Sequence, residues 1–197
     1  MAHRLIQLYA GLVLYGASMG LMVRADLGLD PWDVFHQGLA DRLPLTFGHV
    51  TIVVGALVLL AWIPLRQRPG PGTVSNVIVI GLAVDAALAV LPAPNPMAWR
   101  IAFMVSGVVL NGIATAAYIG ARLGPGPRDG LMTGLVARTG RSVRLVRTSI
   151  ELTVLGTGWL LGGTVGAGTV LYAISIGPLV HLLLPRLTVP ERLELVP

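Results

Sequence analysis

The sequence predicts an all-α polytopic membrane protein: six transmembrane helices arranged as two inverted three-helix repeats, each with a short half-helix after its first span. Three observations predict it. The first is composition. The 197 residues are 54% hydrophobic and 12% charged, with a mean hydropathy of +0.78, whereas soluble domains carry about 25% charge. The second is an ungapped self-match. Leu27-Gly28-Leu29-Asp30-Pro31-Trp32-Asp33 and Leu123-Gly124-Pro125-Gly126-Pro127-Arg128-Asp129 share the pattern Leu-Gly-x-x-Pro-x-Asp, 96 residues apart (124 − 28 = 96). The same offset carries Gly11 onto Gly107, Gly38-Leu39 onto Gly134-Leu135, Gly72-Thr73-Val74 onto Gly168-Thr169-Val170 and Gly81 onto Gly177. Register held from the first apolar run to the last marks a duplicated unit. The third is parity. Each unit holds three long apolar runs, so the second enters the bilayer upside down relative to the first, a common transporter design.

The first unit, 1–96, has expected spans over about 5–23, 48–65 and 73–91 and a short helix over 31–43. The second, 97–197, has expected spans over about 99–119, 145–161 and 169–184 and a short helix over 127–139; together they form one membrane domain. Crossing the hydrocarbon takes about 20 mostly apolar residues. The first span, with Arg4 before it, also has the outline of a signal peptide, but its counterpart lies mid-chain at 101–119, so it is expected to be retained. The two short segments are too brief to cross unaided. Each opens on a proline, Pro31 or Pro127, which suits a first helical turn. Asp30 is placed to cap the first segment, and Asp33 and Asp129 fall in first turns, against the positive end of the helix dipole. Gly28 and Gly124 permit the sharp turn before each. These segments either re-enter the bilayer or lie along its surface.

Arginine sets the orientation, because the chain has no lysine. With the N-terminus inside, the inner segments hold eleven arginines (4, 66, 68, 122, 128, 138, 141, 144, 147, 186 and 192) and the outer ones three, Arg24, Arg42 and Arg100. The excess places both termini in the cytoplasm. Were the short segments full spans, the basic run from Arg138 to Arg147 would lie opposite Arg122 and Arg128.

The Leu-Gly-Leu-Asp-Pro-Trp-Asp-Val-Phe turn at 27–35, the Gly72-Thr73-Val74-Ser75-Asn76 opening of a span and the Gly-Pro-Arg-Asp-Gly-Leu stretch at 126–131 resemble the YczE/YitT group of bacterial multi-pass membrane proteins over nearly the whole chain. The resemblance implies a polytopic protein of the bacterial cytoplasmic membrane, with transport a common suggestion. It supplies no catalytic residues.

Asp33 and Asp129 are the leading candidates for binding a cation, a proton or a cationic group at the seam of the halves; helix-start stabilisation is the ordinary role of such residues. Asp30, Gly28, Gly124, Pro31 and Pro127 would shape that site. Asn76 and Asn111 are single polar residues in apolar helices, either lining the path or hydrogen bonding between helices. Asp85 lies within the third span, where an ionisable group costs about 3 kcal/mol, and its repeat equivalent is His181. Glu151 follows Arg147 by one helical turn, the spacing of a local ion pair. Asp85, Glu151 and His181 are the proton-coupling candidates.

The absence of cysteine removes disulfides and thiolate chemistry. No nucleotide-binding loop, nucleophile elbow or metal-ligand spacing is present, so no enzyme activity, cofactor or metal is expected. The basic loop 122–147 attracts anionic lipid at the cytoplasmic face; no aromatic platform accompanies it for nucleic acid. A bundle of this size also suits a homodimer. The function expected is transport of a small-molecule or ion substrate, a polar organic solute or ion, possible coupling to protons included. The alternatives are a passive channel, or a membrane scaffold that assists a partner enzyme.

Overall fold

The computed structural model describes residues 1–190, which form eight helices and no strand. Arg192 and the rest of the second unit's C-terminal end lie outside the described residues. The long helices are α1 (Ala2–Ala25), α3 (Phe47–Leu65), α4 (Pro71–Val90), α5 (Met97–Gly120), α7 (Val143–Leu160) and α8 (Ala167–Leu187); the short ones are α2 (Pro31–Ala40) and α6 (Pro127–Thr139). Five, α1, α3, α4, α5 and α8, are long and apolar enough to cross a membrane. The helix over the expected span 145–161, α7, has 18 residues but carries Arg144, Arg147 and Glu151, which sets its composition apart from the five.

The short helices have the caps their sequences call for. Asp30 accepts from the backbone N–H groups of Trp32 (2.9 Å) and Asp33 (3.3 Å), and Pro31 fills the first turn. The expected segment 31–43 stops early, at Ala40, and the chain turns over residues 41–45 before Thr46 caps α3 through the His49 N–H. α6 begins on Pro127 after Gly126 and ends at Gly140, whose φ of 64° is left-handed.

The core is the crossing of α1 and α5, flanked by α4 and α8. Leu8, Leu12, Met19 and Met22 of α1 pack with Met104 and Val108 of α5 and with Ile80 and Val84 of α4. Close approach depends on small residues: Gly11 faces the backbone of Ala114 and Tyr118, Gly16 the Ile80 carbonyl, and Gly107 the Ser18 carbonyl. A polar thread runs through this crossing. The Asn111 amide donates to the Ser18 hydroxyl (2.9 Å), and the Tyr172 hydroxyl donates to the Asn111 carbonyl oxygen (3.0 Å), tying α1, α5 and α8.

Several packing relations recur at the 96-residue offset. α1 packs on α4 as α5 does on α8, and α2 packs on α7 as α6 does on α3. The Gly168 N–H donates to the Leu27 carbonyl (2.7 Å), and the Gly72 N–H to the Leu123 carbonyl (2.8 Å). Thr73 Oγ1 accepts from the Gly70 N–H, and Thr169 Oγ1 from the Gly166 N–H, both at 3.2 Å. Each Leu-Gly turn is thus seated on the start of a helix from the other unit. One relation is not repeated: α3 packs along α4, whereas α7 and α8 barely touch.

The α3–α6 contact is built on one large and one absent side chain. The buried Trp62 indole donates to the Pro127 carbonyl (3.0 Å), and a Cβ at Gly130 would overlap its ring. Gly130→Ala is expected to destabilise the protein by about 1–3 kcal/mol, through overpacking, which thermal unfolding in detergent would read directly.

Candidate functional site

The two Pro-x-Asp turns face one another, and the interaction joining them is between unlike residues. Trp32 and Arg128 occupy equivalent places in the repeat (32 + 96 = 128), and the guanidinium lies over the indole, 4.9 Å from its centroid. Arg128 also reaches Asp30 Oδ1 (3.5 Å) and Asp33 Oδ1 (3.7 Å). Asp30 is 1% and Asp33 0% exposed, while 32% of the Arg128 side chain remains open. His36 Nδ1 lies 3.1 Å from Asp33 Oδ1. Burial and the nearby Arg128 push His36 down to about 3, so this contact is a hydrogen bond between Asp33 and a neutral ring rather than an ion pair. Burial and Asp33 push the Asp30 carboxyl up to about 7, against the opposing pull of Arg128.

A cavity of about 440 Å³ opens beside this cluster. Its wall takes Asp30, Pro31 and Trp32 from the first turn and Gly126, Pro127, Arg128 and Asp129 from the second. Tyr15 of α1, Asn76 of α4, Tyr118 of α5, Arg147 and Glu151 of α7, and Tyr172 and His181 of α8 complete its polar lining. The volume suits a small organic solute. Asp129 accepts from the Tyr118 hydroxyl (3.4 Å), and Arg147 donates to Glu151 (2.9 Å), the pairing their spacing implies.

The structure brings Asp30, Pro31, Pro127, Asp129, Asn76, Glu151 and His181 to one cavity wall, with Asp33 directly behind. Gly28 and Gly124 do not line it; they hold the turns, at φ 110° and 128°. Asn111, fully buried, bridges helices within the core. Asp85 also lies off the cavity wall. Its carboxylate accepts from the Gly48 N–H (2.7 Å) and the Thr46 hydroxyl, at the start of α3, and lies 3.6 Å from His49. It is a cap donated from a neighbouring helix, which is how a charge in an apolar helix finds partners.

Sequence reasoning passed over Arg128, Trp32 and the three tyrosines as site residues. Arg128 was legible in one respect: it is the cationic partner, at the repeat offset, of a tryptophan in the same motif. The tyrosines left no signal, because single aromatics in apolar runs read as packing.

Comparison with known proteins places the chain. A family of unknown function, DUF6198, matches residues 2–185. An uncharacterised protein of Haemophilus influenzae is 42% identical over 173 residues, 88% of this chain and 79% of its own length. The uncharacterised membrane protein YczE of Bacillus subtilis is 37% identical over 191 residues, 95% of this chain and 86% of its own. The uncharacterised protein YyaS of the same organism is 24% identical over 179 residues, 89% of each chain. No solved structure matches. With five membrane-length apolar helices and these relatives, the chain is a multi-pass membrane protein that belongs to the DUF6198 family, within the YczE-like group.

Proposed function

We propose that the chain is a small transporter of a polar organic solute or ion, with its site at the seam of two inverted three-span halves. The observation that carries this reading is the cavity whose wall draws on both Pro-x-Asp turns. The paired exchange of turn contacts at the 96-residue offset supports the duplication. α7 serves as the sixth span: 18 residues cover about 27 Å, and its Arg147–Glu151 pair lies on the cavity wall. The arginine distribution then puts both termini in the cytoplasm.

In that orientation the two ends of the bundle differ. At the outer end α3 and α4 are closed. A Cβ at Gly48 would overlap the Gly81 carbonyl, and Asp85 fastens α4 to the start of α3. Their repeat equivalents at the inner end are Arg144, Gly177 and His181. There α7 and α8 stand apart, and a Cβ at Gly177 would meet nothing within 4 Å. One end closed and the other parted are the two arrangements that rocking of the halves would exchange.

The natural chain has no cysteine, which gives a clean test. A membrane-impermeant maleimide should label Gly177→Cys rapidly in inside-out vesicles and slowly from outside. Equal rates from both faces would favour a continuous channel, and no labelling from either would favour a dry scaffold; each result removes the transporter reading.

A further inference from the structure

Asp30 and Asp33 are two buried carboxylates facing one guanidinium, and each is engaged through a single oxygen. Asp30 Oδ1 takes the backbone N–H groups of Trp32 and Asp33 and faces Arg128; Asp33 Oδ1 faces His36 and Arg128. The Oδ2 atoms of both are buried with no donor from any other residue. The two carboxyls lie within hydrogen-bond reach of each other, so that one proton can be held between them, and Asp30 forms part of the cavity wall. The other titratable groups facing the pair are His36, which is neutral, and the hydroxyls of Tyr15 on α1 and Tyr172 on α8. Arg147, the second guanidinium on the wall, is held by Glu151. With both carboxylates ionised, the cluster therefore carries one negative charge more than its fixed positive charge balances.

We propose that this surplus charge is the binding site for a small organic monocation with N–H donors, of the protonated primary amine class, which exchanges there with one proton. The inference rests on the transporter reading given above. Two carboxylate oxygens without a donor from another residue call for one, and Trp32, Tyr15, Tyr118 and Tyr172 line the cavity with aromatic side chains suited to an alkylammonium group. Carboxylate oxygens beside aromatic side chains are the surroundings of an alkylammonium group rather than the full shell of oxygen ligands that a divalent metal ion needs. An anion would have to draw Arg128 away from two buried carboxylates, leaving both unpaired. The exchange balances in charge: one cation enters as one proton leaves the Asp30–Asp33 pair. The raised pKa of Asp30, about 7, puts that proton within physiological range.

Butylammonium, with butanol and butyrate as neutral and anionic comparators, tests this on the purified full-length protein in detergent. Butylammonium alone is expected to raise the unfolding temperature at pH 8, and its binding at pH 6 should release close to one proton in weak buffer. Its affinity should fall by up to about tenfold per pH unit below the Asp30 titration. Asp30→Asn should weaken binding on the order of a hundredfold and flatten the pH dependence. If that variant does not fold, the pH dependence and proton release of the unsubstituted protein decide. A response to butyrate, or an equal response to butanol, overturns the cation assignment and leaves the transporter reading standing. A response to none of the three also overturns it, and the Gly177→Cys labelling pattern then decides separately whether the transporter reading survives.

Discussion

Arg128→Ala is expected to cost about 3 kcal/mol of stability, because it strands two buried carboxylates together. The figure sits at the lower end for breaking a buried ion pair, since one side of the guanidinium is open to the cavity. The loss should depend on pH with a definite sign. Burial already raises the Asp30 and Asp33 carboxyls above their ordinary range, with Arg128 opposing; without the arginine they rise further. A carboxyl whose folded pKa exceeds its unfolded value contributes stability at low pH, and that contribution is lost as pH climbs through the folded value. The variant should therefore be closest to the parent near pH 5 and furthest from it near pH 8 in thermal unfolding. Arg128→Lys should fall between, keeping the charge but losing the planar fork and much of its stacking on Trp32. Combining Arg128→Ala with Asp33→Asn should restore part of the loss. A variant as stable as the parent at both pH values would show that the guanidinium is not what holds the carboxylates.

The second large effect is expected at Gly28 and Gly124. Both have φ beyond 100°, a region that costs a residue with a Cβ on the order of 1–3 kcal/mol. Both are also crowded. A Cβ at Gly28 would lie 2.5 Å from the Gly166 nitrogen and 2.7 Å from Thr169 Oγ1; one at Gly124 would lie 2.6 Å from Thr73 Oγ1. Either alanine substitution should cost about 3 kcal/mol or more, and the two should cost alike, because each forces apart the same seam built from opposite units. Denaturation of the two single variants side by side would check this. A severe loss in one with none in the other would show that the seam is not equivalent on its two sides.

How much of this was legible follows from the kind of signal each feature leaves. The helix pattern and the duplicated turn lie in local sequence. Apolar runs, Pro31 and Pro127 at helix starts, and the capping position of Asp30 are all short-range chemistry, and the structure places helices close to the expected segments. The end of α2 was read three residues late, at Leu43, because Pro44 is the stop that local sequence displays, whereas the helix ends at Ala40. The candidate site was suggested by the repeating motif at Asp33 and Asp129 and by its capping position at Asp30, and was opaque at positions such as 32 and 128, where the halves differ. Arg128 looked like an orientation signal because its other readable feature was its charge. Asp85 looked like a site residue because its partners, Thr46 and the Gly48 N–H, lie 37 to 39 residues away in sequence. Asn111 was ambiguous for the same reason: nothing near it in the chain announces Ser18 or Tyr172.

The exchanged turn contacts bear on how the protein is made. The Leu27 carbonyl receives its donor from Gly168, which is synthesised 141 residues later (168 − 27 = 141). At about 5–20 residues per second that delay is roughly 7 to 28 seconds. Helices α1 to α4 are thus synthesised well before the platform for the Leu27 turn, at the start of α8, exists. Closure of the first turn is therefore a late event in this chain, and the first half lacks that hydrogen-bond donor until α8 is made.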